Sequence, residues 1–162
     1  MATSSLRTPH GPHVIKQRVT NVVMITDTLS DVRIKYQIDS KPIGNGHYGV
    51  VRKCMHRQTS EWLAVKSIRK SKVERIETLR REVDLLKELD YPNIIKLIDI
   101  HEDQIFLHLI TELCTGGELF DRIISKTQSP EGKFSEKDAS KIITQTLDAI
   151  RYCHAKKMFT AT

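Results

Sequence analysis

Gly44, Gly46 and Gly49 stand in the stretch I-G-N-G-H-Y-G-V-V at 43–51, and Lys66 follows in A-V-K at 64–66. Glycines at this spacing let a backbone approach a polyphosphate, because no Cβ stands in the way. A lysine in the next apolar run adds a compact positive charge. Together these residues suit the holding of a nucleoside triphosphate under a flap. The G-x-G-x-x-G spacing alone is ambiguous, since a dinucleotide-binding turn shares it. Context separates the two. The dinucleotide turn opens directly into a helix and needs an acid at the end of a second strand to hold a ribose. Here V-V-R-K-C-M at 50–55 reads as a strand, and no such acid follows. A Walker loop needs Gly-Lys-Ser/Thr, which the chain lacks.

The elements that must position these residues follow from pattern. Segments 36–43 and 49–56 flank the glycine turn and predict a hairpin with an open loop. Segment 61–69 predicts a third strand, with Trp62, Ala64 and Lys66 on one face. Val73, Ile76, Leu79, Val83 and Leu86 recur at helical steps and predict a helix over 71–89, which Asp90-Tyr-Pro-Asn93 ends. Segments 94–101 and 105–114 predict two more strands. Gly116-Gly117 reads as a hinge, 118–125 as a short helix, and 126–133 as a loop. Ser135-Glu-Lys-Asp138 has the spacing of a capping box with Asp for the usual Glu. The helix behind it carries the apolar stripe Ala139, Ile142, Ile143, Thr146, Leu147, Ile150 and Cys153.

Composition excludes several classes. The chain has 162 residues, of which 39% are hydrophobic and 28% charged. That balance is the one a globular protein has. Its net charge of +6 comes from basic residues interleaved with acids, as in 70–81, so a nucleic-acid partner is not required. Cys54, Cys114 and Cys153 lie far apart without C-x-x-C spacing, which points to free thiols in a reducing compartment, the cytoplasm. No apolar run in the sequence is long enough to span a membrane, so no membrane partner is expected. Residues 1–30 read as a flexible tail. Its acid-poor, Ser-containing start also suits a transit peptide, although Arg7, Lys16 and Arg18 are few for one.

Beyond the glycines, four further segments occur in order: L-A-V-K-S-I at 63–68, L-R-R-E-V-D-L-L-K-E-L-D-Y-P-N-I-I-K-L at 79–97, L-I-T-E-L-C-T-G-G-E-L-F-D-R-I at 109–123, and F-S-E-K-D-A at 134–139. With them, residues 36–157 resemble the first half of a eukaryotic-type serine/threonine protein kinase, most of all the calmodulin- and calcium-dependent group. The resemblance implies an α+β fold. Residues 31–114 would form the small lobe, a five-stranded antiparallel sheet plus one helix. Residues 115–162 would hold the hinge and the incomplete start of the large lobe.

Roles follow residue by residue. Gly44, Gly46 and Gly49 would cover the phosphates, with Tyr48 at the flap's tip. Lys66 would bind the α- and β-phosphates and pair with Glu82 on the helix, which is expected to face inward. Ile43, Val51, Ala64 and Leu113 would enclose the adenine. Glu112 to Cys114 would be the hinge offering backbone groups to it, and Thr111 the gatekeeper behind. Glu118 would meet the ribose or a basic substrate side chain. Cys114 itself suits a reactive thiol or a buried structural one, and the buried role is the one expected.

The resemblance stops where the family's histidine-arginine-aspartate loop belongs, since the chain there reads Thr160-Ala161-Thr162. The catalytic base, the catalytic-loop Asn and the Asp that holds Mg²⁺ are not in these residues. No metal ligands are therefore assigned, and Mg²⁺ is expected only in a complete kinase. Nor is there a calcium loop of the D-x-D-x-D-G type. Two readings result. One is the ATP-binding part of a serine/threonine kinase, whose complete form transfers the γ-phosphate to a protein substrate. The other is a catalytically inactive truncated kinase that binds nucleotide or protein.

Overall fold

The computed structural model describes residues 24–46, 49–128, 130 and 132–156. The residues expected to form most of the tail, Tyr48 and residues 157–162 lie outside this set. A four-residue helix α1 (Val32–Lys35) leads into β1 (Tyr36–Gly46), β2 (Gly49–His56) and β3 (Trp62–Arg69). A short 3-10 turn (Lys70–Lys72) precedes α2 (Ile76–Glu88). Then come β4 (Leu97–Glu102), β5 (Phe106–Glu112), α3 (Leu119–Thr127) and α4 (Glu136–Ala155). The strands form one five-stranded sheet in the order β1-β2-β3-β5-β4, and every neighbouring pair is antiparallel. The α+β small lobe expected from the sequence is this sheet with α2 against it.

Each face of the sheet has its own core. Register places Val51 opposite Lys66, and Lys66 opposite Leu109, so these three share a face. Ala64 and Ile68 lie on the same face by the period of two. Ile68, Leu107 and Leu109 there pack with Leu79 and Val83 of α2, and Ile76 and Leu86 flank them. The helix stripe read from the sequence is therefore the surface that joins α2 to the sheet. On the opposite face, Cys54, Leu63, Val65 and Ile110 close over Val32 and Tyr36.

Several boundaries differ from expectation. β1 runs on through Gly44 to Gly46, so these glycines lie in the paired hairpin and not in an open turn, and β4 begins at Leu97, not at residue 94, because the chain is still turning after α2. Two further differences bear on the core. The helix expected from residue 71 begins at Ile76, because Lys70–Lys72 makes a 3-10 turn and Val73 is extended. The segment expected as tail reaches into the fold: Ile25 is 5% exposed and belongs to the α2-side core. Its N–H, like that of Thr26, is satisfied by the Glu102 carboxylate, so a short segment without periodicity is nonetheless held.

The outer helices pack less. Among the described residues, neither α3 nor α4 buries a side chain fully. Ile143 and Leu147 are each 58% exposed. The N-terminus of α4 is fixed as the sequence predicts, by a side-chain cap. Ser135 Oγ accepts from the Asp138 N–H at 3.1 Å. The same hydroxyl donates to Asp138 Oδ2 at 2.7 Å. Tyr152 of α4 stacks on Tyr91, their ring centroids 4.6 Å apart. Offset aromatic pairs of this kind are attractive beyond their area, and this one ties α4 to the turn after α2.

Buried titratable groups set a pH dependence. Burial pushes the His108 imidazolium down from its ordinary value of 6.5, and the hydrogen bond to Asp103 only partly opposes this. Burial pushes the carboxyls of Asp99, Glu102 and Asp103 up, but hydrogen bonds more than offset it and hold all three below their ordinary values. For each group the unfolded chain binds protons more readily than the folded one. Stability is therefore full above the unfolded pKa and falls as pH drops. We expect the melting temperature to fall by a few degrees between about pH 7 and pH 5, as His108 protonates in the unfolded state, and faster below that range as the carboxylates follow. Melts of equal midpoint across that span would contradict the burial of His108.

Candidate nucleotide-binding site

The glycines are placed by the β1–β2 hairpin. Gly44 pairs with Val51, and Gly46 with Gly49. Their freedoms differ. A Cβ on Gly44 would meet only Val51, its Cβ at 3.8 Å. A Cβ on Gly49 would stand 2.1 Å from the Ser67 carbonyl oxygen. This glycine is therefore demanded by the approach of β3 as well as by any ligand. Gly46 links the two halves of the site. A Cβ there would lie 3.6 Å from the Gly49 carbonyl oxygen and 4.0 Å from Lys66 Cε. The Lys66 stem thus runs beneath the glycine-bearing strands, with the side chain left exposed. This is the chemistry a polyphosphate needs: a cation under backbone that carries no side chain.

The residues expected around the base lie on and beside the sheet. Ala64 is buried, Val51 half-buried and Ile43 exposed. Ala64 pairs with Thr111, which is half-buried and donates its hydroxyl to the Glu112 carbonyl at 3.2 Å. Glu112 ends β5, and its Oε1 accepts from the Lys96 N–H at 2.8 Å. Leu113 is half-buried. Glu112 and Cys114 border a cavity of about 410 Å³ whose far wall is Ile142, Gln145 and Thr146 of α4. Gly117 follows at φ +75°, a left-handed conformation that lets the chain turn from the sheet to α3. Glu118 caps α3 by its backbone position, with no side-chain bond to the helix.

Two expectations need correction. Cys114, expected as a buried thiol, is exposed, because β5 ends at Glu112 and the thiol stands on the connecting stretch beyond the sheet's core. Cys54 is the buried one, and burial raises its thiol to about 11. All three cysteines are free, as their spacing suggests. Glu82, expected to face inward, is exposed. It stands at the flank of the α2 stripe and borders a cavity of about 210 Å³ with Val73, Thr78 and Leu79. Among the described residues, no ion pair joins Lys66 to Glu82. The structure therefore brings Lys66 and the glycines together, and leaves Glu82 apart.

Sequence reasoning missed a second polar centre. Glu102 is 0% exposed and forms an ion pair with Lys70 at 2.9 Å. It continues the alternation of Ile100 on the α2 face, where an apolar residue would be expected. The available signal was that acid in phase with the core. The irregular register between Leu97 and Asp99 concealed the phase.

Residues 36–160 match the family model for the protein kinase domain. The chain belongs to the protein kinase family. Curated kinases resemble it closely. It is 44% identical over 137 residues to calcium-dependent protein kinase 5 of Plasmodium falciparum, covering 85% of this chain and 23% of that protein. It is 37% identical over 137 residues to calcium-dependent protein kinase 20 of Oryza sativa subsp. japonica, covering 82% of this chain and 24% of that one. The kinase chain thus spans about a quarter of the length of these relatives. Among solved structures, it superposes on Rad53 1-466 in complex with AMP-PNP with a TM-score of 0.65 and 29% identity, over 76% of this chain and 31% of that one. The sheet-plus-helix arrangement is therefore a kinase small lobe. Among the described residues, no helix is long and apolar enough to cross a membrane.

Proposed function

We propose that this chain is the ATP-binding part of a serine/threonine protein kinase. The observation that carries the reading is the approach of Lys66 Cε to Gly46, beneath the β1–β2 hairpin. A triphosphate laid along the backbone of Gly44, Gly46 and Gly49 would meet the Lys66 ammonium there, while Ile43, Val51, Ala64 and Leu113 present an apolar surface to the base. Thr111 would sit behind the base, Glu112 to Cys114 would offer it backbone groups, and Glu118 would lie toward the ribose or a substrate side chain. The AMP-PNP complex of the similar Rad53 structure supports a nucleotide as the ligand. Glu82 is the acid we assign to hold Lys66, which requires the two side chains to approach.

No magnesium ligand is assigned within these residues, since the Asp and Asn that hold the metal in the family lie outside the stretch that the resemblance covers. Among the described residues no cluster of three His, Cys, Asp or Glu side chains could hold a metal ion. Phosphoryl transfer to a protein substrate is accordingly assigned to the complete family member. Residues 1–162 alone are the second reading, a module that holds nucleotide without transferring phosphate.

The test is calorimetric titration of the 162-residue polypeptide with ATP. Binding should be weak, and Lys66→Ala should weaken it by about tenfold to a hundredfold, the worth of a charge-assisted hydrogen bond. Equal affinity in the two proteins would remove Lys66 from the site. A radiolabelled transfer assay on the same material should show no phosphorylated peptide product. Transfer that Lys66→Ala abolishes would overturn the second reading.

A further inference from the structure

Residues 24–30 precede the part of the chain that matches the kinase domain, yet they are built into the small lobe. They touch both elements that flank the α2-side core. Ile25 inserts its side chain among Ile68, Leu79, Val83, Leu107 and Leu109, between the sheet and α2. The Met24 carbonyl accepts a hydrogen bond from the Arg80 guanidinium of α2. On the sheet side, the Ile25 N–H donates to both Glu102 oxygens at 3.0 Å. The Thr26 N–H and hydroxyl donate to Glu102 Oε2 at 2.6 and 2.7 Å. Further along, the Ser30 N–H donates to the Glu102 carbonyl at 2.7 Å, and its hydroxyl meets His101 Nδ1 at 2.9 Å.

We propose that residues 24–30 are a strap that sets the position of α2, and that Thr26 is the point at which added negative charge releases it. The side chains that position α2 are Ile25, as an apolar wedge, and Arg80, as its link to the strap. Glu102 is the anchor on the sheet. The anchor is an acceptor: four of its hydrogen bonds come from Ile25 and Thr26, and a fifth from Lys70 Nζ. An anion on Thr26 replaces a donor with a second negative group against a carboxylate buried away from water. Two like charges at hydrogen-bond distance, one of them cut off from water, repel strongly. The strap is the part able to yield, since β4 is held by β5 along its length. Because α2 carries Glu82, the strap's state would govern whether Glu82 can reach Lys66. That last step rests on the nucleotide-binding reading above; the coupling of strap to helix does not.

Hydrogen exchange on the 162-residue chain tests the coupling. Amides of Ile76–Glu88 should exchange about tenfold faster or more in Thr26→Asp than in the unaltered protein, the effect of losing a hydrogen bond and gaining repulsion. Amides of Gly49–His56 and Trp62–Arg69 should be unchanged. Thr26→Ser keeps the hydroxyl and should match the unaltered protein. Ile25→Ala, which leaves Glu102 satisfied, should also speed exchange in α2 selectively. Unchanged α2 exchange in Thr26→Asp overturns the proposal. So does a uniform increase across the sheet and α2, which would make residues 24–30 ordinary packing. An ATP titration of the same variants reads the second step, with weaker binding expected in Thr26→Asp. If the unaltered protein binds no ATP, the nucleotide reading fails while the exchange result still decides the strap.

Discussion

Replacing Glu102 with alanine should cost about 3–5 kcal/mol of folding free energy, the range for removing one member of a buried ion pair. The effect is large because one carboxylate serves several donors. Truncation withdraws the acceptor from the Ile25 and Thr26 N–H groups, leaves the Thr26 hydroxyl only the Thr28 carbonyl, and removes a partner of Lys70 at 2.9 Å. Each buried polar group deprived of its bond carries a desolvation penalty of about 1–3 kcal/mol. Glu102→Gln keeps the volume and one carbonyl acceptor, so it should cost less than Glu102→Ala. Urea unfolding followed by circular dichroism would show a lower midpoint for both, in that order, with similar slopes. A loss under about 1 kcal/mol for Glu102→Ala would mean that water reaches the cluster.

Gly49→Ala should destabilise the small lobe by about 3 kcal/mol, at the upper end for overpacking. The new methyl would stand 2.1 Å from the Ser67 carbonyl oxygen, 2.8 Å from its carbon and 3.1 Å from Ile68 Cα. All three are atoms of the β3 backbone, which cannot swing aside as a long side chain would. Relief requires β2 and β3 to part at the row where Gly49 faces Ile68. Gly44→Ala is the control. Its methyl would make ordinary contact with Val51, so the cost should stay within about 1 kcal/mol. Thermal unfolding of the two variants would separate them by roughly 10 °C or more for a domain of this size. Equal midpoints would show that the hairpin can shift its register around Gly49.

The two variants also show what the sequence can and cannot disclose. The glycine spacing announced a backbone kept free of side chains. It did not say that Gly49 is required by β3 while Gly44 has room for a methyl, because that depends on which strand lies alongside. The stripe Ile76, Leu79, Val83 and Leu86 located the helix and its buried face. Its start was misplaced because Lys70–Lys72 turns as a 3-10 helix within a charged run that reads equally well as the first helical turn. Lys66 was legible as a cation in an apolar strand. Glu82 neighbours the stripe, which predicts an inward side chain, but a flank position lets a carboxylate keep its water. Ile25 and Glu102 were not legible. They are 77 residues apart, and the bonds between them follow no local period.

The two borders of the sheet differ in sequence and share a consequence. Along β4, the outward carbonyl of Glu102 is already taken by the Ser30 N–H. Along β1, pairing with β2 is irregular between Ile38 and Gly44, and Pro42 within that stretch has no N–H to give. A long run of free donors and acceptors on an outer strand is a template on which a second molecule can lay its own strand. Each rim is interrupted within its length, at Glu102 on one side and around Pro42 on the other. A second sheet laid against either border would therefore meet a break in the seam at that point.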